Sequence, residues 1–178
     1  MSTASRYVPH YTIDDYKRWE GDWELWQGIA IAMTPSPFGK HSKLLVNAAA
    51  CLKNAVSDAK CDATVLAEID WIIANDTVVR PDVVVVCGSE PEQHVESTPA
   101  IAVEILYEST RDRDLGPKRQ MYEEQGVPYY LIIDPEPSTV LLLKLQDGKF
   151  AEVSSTDTFD LEICGSCSLS VVVDQLLS

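Results

Sequence analysis

Two apolar stretches of strand length, each carrying one acidic residue, constrain the fold of this chain more than any other feature. They are residues 80–86 (RPDVVVV) and residues 100–106 (AIAVEIL). Both are rich in β-branched residues and are bounded by Pro, Gly or Ser, which favours strands that are buried on both faces. We therefore expect both stretches at the centre of a sheet.

The acidic residues of the two stretches are Asp82 and Glu104. An ionised carboxylate in a buried strand is costly unless it is paired or bound to a cation. If the two strands are neighbours, the pair favours a cation bound between them. The alternative is that each acid lies at a strand end and reaches solvent, and these two strands alone leave both interpretations open.

Length and composition indicate one domain over residues 1–178 with a real hydrophobic core, because 46% of the 178 residues are hydrophobic. No apolar run approaches the ~20 residues of a membrane span, and the N-terminus lacks a signal-type apolar segment. We expect a cytoplasmic protein. The five cysteines are scattered and odd in number, which predicts reduced thiols. A C-x-x-C pair at Cys164 and Cys167 has no second such pair beside it, so metal or redox use is not favoured.

Net charge argues against a nucleic-acid partner, because phosphate contacts usually require a basic surface and this chain carries a formal charge of −14. The basic residues are unevenly distributed, however, and a local positive face remains compatible with the sequence. The alternative is an ordinary acidic surface that favours solubility. The two basic groups are Lys40, His41 and Lys43, and then Arg111, Arg113, Lys118 and Arg119.

The N-terminal half is predicted to contain a helix, a hairpin and a second, long helix. Thr12 and Asp15 have capping-box spacing, so a short helix should begin at Ile13, with Gly21 at its C′ position. A hairpin is expected around Gln27 and Gly28. Residues 38–59 carry apolar side chains at helical spacing, which predicts the long helix that covers one face of the sheet.

The rest of the chain indicates further strands. Residues 63–73 alternate and should form a strand that pairs antiparallel with the strand of Asp82. The strand of Glu104, a helix and a buried strand at 129–134 form a βαβ unit, whose crossover should be right-handed. A last hairpin around Asp147 and Gly148, and a short terminal helix, complete the predicted elements.

The helix after Glu104 breaks a local rule. Pro117 suits its first position, which places Lys118 in the first turn, where the helix dipole disfavours a cation. Such violations tend to mark function. The alternative is a solvated surface lysine. If Lys118 is instead a functional residue, Lys118→Met should leave folding nearly intact, because it removes a charge that is poorly placed for the helix dipole.

These motifs, taken in order, resemble a large bacterial family classed as endonucleases, once known only as a domain of unknown function. The shared pattern is RPDV at 80–83, VEIL at 103–106, STxxxDxxxKxxxY at 109–122, GVPxY at 126–130 and DP at 134–135. The resemblance runs from about residue 11 to the C-terminus. The family belongs to the restriction-endonuclease-like superfamily, named for its PD-(D/E)xK motif, which implies an α/β fold with a central mixed β-sheet flanked by helices and additional β-hairpins.

The resemblance implies first that the site binds a divalent metal. In the superfamily the two motif acids bind the metal, which here means Asp82 and Glu104, with the backbone carbonyl of Ile105 as a further ligand. Hard oxygen ligands suit Mg²⁺ or Mn²⁺. The motif lysine is missing, since Leu106 stands in its place. As in similar families, it has migrated to the next helix as Lys118, where it would orient the attacking water.

The resemblance also assigns supporting residues. Glu24 matches an upstream catalytic glutamate, and His41 matches a histidine at the start of the long helix. His41, Arg111 and Arg113 are candidates for contacts with substrate or with the ligands. Two segments depart from the family pattern: residues 27–29 (QGI) lack its two acids, and residues 107–110 (YEST) replace its Ser-Pro-Ser-Thr.

Two functions remain open at this point. The resemblance implies a Mg²⁺-dependent endonuclease that hydrolyses DNA phosphodiester bonds. The acidic charge and the lost acids favour the alternative, a catalytically inactive binding or interaction protein on the same fold. For a nuclease, a homodimer would place one site on each strand of a duplex, and Trp19, Trp23 and Trp26 are candidates for its exposed surface.

Overall fold

The centre of the molecule is a six-stranded mixed sheet, described in a computed structural model that covers residues 8–33, 39–154 and 157–178. Within it the strands Ile101–Ile105 and Tyr129–Asp134 form a parallel pair, and the other neighbours are antiparallel. In spatial order the strands are Lys149–Val153 (β10), Thr139–Gln146 (β9), Tyr129–Asp134 (β8), Ile101–Ile105 (β7), Val83–Cys87 (β6) and Ala63–Ala67 (β3).

Two smaller sheets and the helices pack around this centre. A four-stranded sheet has the order Ile29–Ala32 (β2), Trp23–Trp26 (β1), Thr77–Val79 (β5) and Trp71–Ala74 (β4), and a separate hairpin joins Thr158–Ile163 (β11) to Cys167–Val172 (β12). The helices are Ile13–Tyr16 (α1), Gly39–Asp58 (α2), Arg111–Arg113 (α3), a π-helical segment Asp114–Lys118, Arg119–Glu124 (α4) and Val173–Leu177 (α5).

The central sheet is buried on both faces because alternate side chains of each strand feed two separate cores. Val83, Val85 and Val103 pack with α2, the β11–β12 hairpin and Leu176 of α5. Val84, Val86 and Ala102 face the other way and pack with Trp71 and Tyr122. The expected mixed α/β fold is confirmed, and so is the central position of the two acid-bearing strands.

Most other predicted elements are also present. The first helix begins at Ile13, where the Asp15 carboxylate accepts from the Thr12 backbone N–H at 3.0 Å. This helix ends at Tyr16, so the expectation that Gly21 occupies its C′ position is wrong. The long helix is observed from Gly39, and residue 38 lies outside the described residues. Within the part of the chain described, no helix is long and apolar enough to cross a membrane.

The predicted strand at residues 63–73 is interrupted, which corrects the sequence interpretation. β3 pairs antiparallel with β6 as expected, but Glu68 adopts a left-handed conformation with φ of 50°. Its backbone N–H bonds to the carbonyl of Asp82 at 3.0 Å. The chain then crosses to the four-stranded sheet, where β4 pairs with β5. Apolar and polar residues alternate on both sides of Glu68, so the sequence pattern gives no sign of the interruption between β3 and β4.

The helical segment after Glu104 also differs from the prediction. Helical structure begins at Arg111 rather than at Pro117, so Lys118 is not in a first turn. Pro117 instead lies inside the π-helical segment. A proline ring clashes with the carbonyl four residues earlier in an α-helix, and the residues around Pro117 form a wider π turn in place of an α-helix. The proline was therefore misread as a helix start.

The hairpin β11–β12 was missed, and with it the state of the cysteines. Disulfides join Cys61 to Cys167 and Cys87 to Cys164, so the expectation of reduced thiols is wrong for four of the five cysteines. Cys51 is the free cysteine among the described residues, and it is buried. The paired cysteines are 106 and 77 residues apart in sequence, and such pairing cannot be read from spacing.

The tryptophans proposed for a dimer surface are only partly accessible. Trp19, Trp23 and Trp26 are half-buried, and Trp19 makes edge contacts with Tyr11, Tyr16 and Trp23. These contacts lie within one chain. The three side chains are therefore only partly available to a partner chain, and the homodimer stays a prediction.

Candidate active site

The two strand acids meet at one end of the central sheet because of the register between β6 and β7. Val83 is the partner of Val103 in this antiparallel pair, so the residues one step beyond are Asp82 and Glu104. Both line a cleft of about 110 Å³. Asp82 is half-buried, with a side chain 17% exposed, whereas Glu104 is buried. The sequence interpretation of paired acids in neighbouring strands matches this geometry.

Asp82 is held by the backbone of the neighbouring strand. Its Oδ2 accepts a hydrogen bond from the Ile105 N–H at 2.6 Å. The N–H and C=O groups of one strand residue point to the same side, while the next N–H, of Leu106, bonds to Ile133 of β8 on the other side. The Ile105 carbonyl therefore faces the side of Asp82, where the sequence interpretation expects a ligand oxygen.

Lys118 reaches the same cleft and is enclosed by acceptors. Its Nζ lies 2.9 Å from Glu104 Oε1, 3.0 Å from Glu24 Oε1 and 3.3 Å from the Arg80 carbonyl oxygen. The contacts with Glu104 and with the Arg80 carbonyl are hydrogen bonds, and the contact with Glu24 is an ion pair. Lys118 is only 5% exposed, which excludes the alternative of a solvated surface lysine. Burial would lower the pKa of Lys118, but Glu104, Glu24 and Asp114 together raise it.

Glu24 links the small sheet to this cluster. It lies on β1, is buried, and accepts a hydrogen bond from the Arg80 N–H at 2.7 Å in addition to the contact with Lys118. The Arg80 guanidinium turns away from the cluster and bonds to Asp70 at 2.8 Å and Asp22 at 2.8 Å. The backbone just before Asp82 is therefore held both by the bond to the Arg80 N–H and by the contacts of the Arg80 side chain.

A tyrosine that sequence reasoning left without a role completes the Glu104 environment. Tyr122 is fully buried and its hydroxyl donates to Glu104 Oε1 at 2.6 Å. Its ring lies 5.7 Å from the ring of Trp71 and 5.1 Å from that of Tyr130, between centroids. Lys118 and Tyr122 thus both donate to Oε1 of a carboxylate that also lines the cleft. Burial raises the pKa of Glu104 well above its usual range, and the charge of Lys118 only partly offsets this.

Asp114 is the second residue that sequence reasoning missed. It lies at the start of the π-helical segment, accepts from the Thr110 hydroxyl at 2.8 Å and is 3.9 Å from Lys118 Nζ. Burial raises its pKa to about 6, against the opposing effects of Lys118 and Thr110. Asp114, Lys118 and Tyr122 are spaced four residues apart, which places them on one face of a helix. That spacing was a signal the sequence offered.

His41 enters the cleft from the first turn of α2. Its Nε2 lies 3.4 Å from Asp82 Oδ1, and its Nδ1 is buried without a hydrogen-bond partner among the described residues. Burial opposes a positive charge on His41, but the hydrogen bond and charge of Asp82, with the charges of Glu68 and Asp114, outweigh it and raise the pKa.

The remaining predicted basic residues are tied to acids or carbonyls beside the cleft. Arg111 pairs with Asp134 at 2.7 Å, and Lys40 pairs with Glu136 at 2.7 Å. These four side chains line a neighbouring cavity of about 530 Å³, which His41 also lines. Arg113 bonds to the Ala32 carbonyl at 3.1 Å and lines neither cavity.

The segment that lacks the two family acids lies away from the cleft. Gln27 and Gly28 form the β1–β2 turn and bond to Thr77 and Asp76. Neither Gln27 nor Ile29 lines the cleft, and Ile29 is 51% exposed. Acids at these positions would therefore not face Asp82 and Glu104 directly.

The oxygen atoms of the cleft fit a Mg²⁺ or Mn²⁺ ion. Glu24, Glu104 and Asp114 are all buried around a single buried lysine, which leaves an excess of negative charge. Mg²⁺ usually binds through one or two carboxylates and keeps several waters. Asp82, Glu104 and the Ile105 carbonyl supply such a set. Among the described residues, no three His, Cys, Asp or Glu side chains form a ready metal cage.

Comparisons with known proteins agree with this fold. The model of the Uma2 family, described as "Putative restriction endonuclease", matches residues 13–171. A solved structure of a putative nuclease belonging to DUF820, from Anabaena variabilis, is similar over 94% of this chain and 97% of its own, with a TM-score of 0.72 and 19% identity. At that identity the likeness shows the fold alone. No curated protein matches the chain.

The enclosed position of Lys118 reverses the expectation that it can be removed without cost. Lys118→Met leaves the buried carboxylates of Glu24 and Glu104 without their cation, and breaking such a pair costs about 3–5 kcal/mol. We expect a loss of that size in the free energy of unfolding, measured by urea denaturation with EDTA present. The matched control is Lys53→Met on the exposed face of α2, which should change stability by less than about 0.5 kcal/mol. Equal stability of the two variants would show that the contacts of Lys118 with Glu24 and Glu104 do not stabilise the protein.

The raised pKa of Asp114 predicts a dependence of stability on pH. A carboxyl whose pKa rises from 3.8 to about 6 on folding stabilises the protein below pH 4, and that contribution is lost as the pH rises to about 6. Asp114→Asn removes this dependence, so its stability relative to the parent should improve across that window by an amount on the order of 3 kcal/mol. Denaturation in EDTA at several pH values measures it. The exposed Asp112→Asn is the control, and a difference that stays constant with pH would contradict the assignment.

Proposed function

The chain belongs to the Uma2 family of putative restriction endonucleases, and from this we propose that it is a Mg²⁺- or Mn²⁺-dependent endonuclease that hydrolyses phosphodiester bonds in DNA. The observation that carries the proposal is the convergence of Asp82, Glu104 and the Ile105 backbone on one cleft, beside the buried cation Lys118. Buried carboxylates outnumber buried cations at this point, and a bound divalent ion would balance their negative charge.

In the proposed reaction, water attacks phosphorus, the bond from phosphorus to the leaving oxygen breaks, and a phosphomonoester and an alcohol are formed. Asp82, Glu104 and the Ile105 carbonyl would hold the ion. A bound Mg²⁺ lowers the pKa of its water and offsets charge on the phosphate. The chain's own contribution is to keep these oxygen atoms in place before the substrate arrives, because preorganised groups need no rearrangement during the reaction.

Lys118 takes a role different from the one expected for a motif lysine. Its Nζ donates to Glu104 and to the Arg80 carbonyl and forms an ion pair with Glu24, so the ammonium is directed at the protein's own acceptors. We assign it the positioning of Glu104 and the neutralisation of part of the buried charge. Its loss should depress cleavage on the order of 10²-fold.

Positive groups at the rim suit a phosphate backbone despite the acidic chain. His41 lies in the first turn of α2, where the helix dipole favours an anion. Lys40 and Arg111 border the adjoining cavity. Their carboxylate partners would have to give way to phosphates, and this competition, together with the charge of −14, is the observation that favours the second candidate, an inactive binding protein.

Cleavage by purified protein decides between the two candidates, and Asp82→Asn is its sharpest control. The amide oxygen can still accept from the Ile105 N–H, so the strand contact is kept while the negative charge is lost. We expect the parent to nick plasmid DNA with Mg²⁺ or Mn²⁺ but not with EDTA. The variant should be slower by a factor on the order of 10² or more.

Metal binding is tested separately from cleavage by thermal unfolding with added Mn²⁺. A ligand that binds only the native state raises the melting temperature. A rise in the parent and none in Asp82→Asn supports the metal site. No cleavage with a clear rise would favour the inactive binding protein, whereas the absence of both results would contradict the proposed site itself.

The bond from Tyr122 to Glu104 predicts a second effect on metal affinity. Tyr122→Phe keeps the ring between Trp71 and Tyr130 but frees Glu104 Oε1 from one of its two donors. Loss of such a supporting hydrogen bond weakens metal binding by about 10–100-fold. Titration calorimetry with Mn²⁺ measures the affinity.

Tyr130→Phe is the matched control, because the Tyr130 hydroxyl donates to the Asp114 carbonyl at 3.0 Å and does not touch Glu104. Both variants lose one buried hydroxyl, so a general loss of packing would affect them alike. Weaker binding in Tyr122→Phe alone supports the positioning role, and an equal effect in both would refute it.

A further inference from the structure

Four of the five cysteines form two disulfides at the turn end of the β11–β12 hairpin. Cys164 directly follows β11 and Cys167, three positions later, is the first residue of β12, and the two are not bonded to each other. Cys164 is bonded to Cys87 and Cys167 to Cys61. Two disulfides thus link this end of the hairpin to two other parts of the chain.

The two partner cysteines are neighbours through the sheet. Cys87 ends β6 and is the register partner of Ala63, two residues after Cys61. The next residues are joined as well, since the Gly88 N–H donates to the Asp62 carbonyl at 2.9 Å. The Cα atoms of the bonded cysteines are 5.7 Å and 5.4 Å apart. All four residues therefore belong to one patch.

This patch lies at the end of β6 opposite the candidate active site. Asp82 comes immediately before the strand and Cys87 is its last residue, so the two ends are separated by roughly 16 Å of extended chain. Cys87 is exposed and the other three are half-buried, which makes the patch accessible to small molecules and ions. No residue of the patch lines the cleft of Asp82.

A C-x-x-C pair in a hairpin turn, together with two cysteines from neighbouring elements, is the ligand arrangement of a structural Cys₄ zinc site. Tetrahedral Zn²⁺ with bonds of about 2.3 Å separates neighbouring sulfur atoms by about 3.8 Å. Within each bonded pair, Cα atoms 5.7 Å and 5.4 Å apart allow that separation after small side-chain rotations, and the register of β3 with β6 places the two pairs beside each other. The second half of the ligand set, which the sequence alone did not reveal, is supplied by Cys61 and Cys87.

We propose that Cys61, Cys87, Cys164 and Cys167 form a structural zinc site when the two disulfides are reduced. Each disulfide takes two electrons and two protons from a small dithiol, which is oxidised to its own disulfide. The four thiols then release four protons to solvent as four thiolates bind one Zn²⁺. The disulfide-bonded form cannot hold the ion in this way, because none of its four sulfur atoms is a thiolate.

A metal is expected here because the sequence predicts a cytoplasmic protein, and the cytoplasm is a reducing environment. Disulfides are rare in reducing compartments, where thiols are kept reduced. Without a replacement, reduction would remove the two covalent links that join the β11–β12 hairpin to Cys87 of β6 and to Cys61. A zinc ion held by the same four residues keeps these elements joined, because binding energy at a structural zinc site is folding energy.

Cobalt substitution tests the site directly on the full chain. The protein is reduced with a phosphine, the reductant is removed under nitrogen, and Co²⁺ is added. We expect one Co²⁺ per chain, with the visible bands and the near-ultraviolet sulfur-to-cobalt charge-transfer band of tetrahedral thiolate coordination. Zn²⁺ should displace the cobalt and raise the melting temperature of the reduced protein.

Variants identify the ligands. Cys61→Ser and Cys87→Ser should each lose the tetrahedral spectrum, whereas Cys51→Ser, which changes the buried free cysteine, should keep it. If a variant fails to fold, native mass spectrometry of the parent made in a reducing cytosol supplies an independent measurement, with one zinc per chain expected.

Three results would overturn the proposal: a reduced protein with four free thiols and no cobalt spectrum, a spectrum that survives Cys61→Ser, or bound iron and sulfide in place of zinc. Asp82→Asn should leave zinc binding unchanged. The outcome is therefore independent of the proposed nuclease activity.

Discussion

The candidate site depends on one buried ammonium. Lys118 joins Glu104 on the central sheet, Glu24 on the small sheet and the backbone of Arg80 between them. Each of these groups would be costly to bury alone, and each is acceptable only because the others are present. The same contacts bring three separate elements to one point. The chemistry of the cleft and the assembly of the two sheets therefore rest on a shared set of interactions.

The π-helical segment explains how Lys118 reaches this position. A regular α-helix through Pro117 would lose a hydrogen bond and carry a steric clash. The wider turn accommodates the proline and keeps Asp114 and Lys118 both buried on the side of Glu104. The Tyr130 hydroxyl binds the Asp114 carbonyl within this segment at 3.0 Å. Irregular helix geometry at this place is supported by specific contacts, as is common near functional sites.

The overall charge of −14 is a poor guide to the cleft. The acids that matter there are buried and paired, and their effect on a ligand is decided at distances of a few ångströms, whereas distant surface charges are screened by salt. Lys40, His41 and Arg111 border the two adjoining cavities from α2 and α3. A local surface of mixed charge is thus compatible with a strongly acidic chain.

The sequence by itself determined the central strands, their acids, the long helix and most hairpins, because strand and helix periods and turn residues are local properties. It also placed Glu24, Asp82, Glu104 and Lys118 in one set through the resemblance to a known family. Only the tertiary structure decided the enclosure of Lys118, the role of Tyr122, the break at Glu68 and the cysteine pairing. Each of these depends on contacts between residues far apart in the chain, or on a backbone conformation that such contacts stabilise. Local sequence patterns therefore do not predict them.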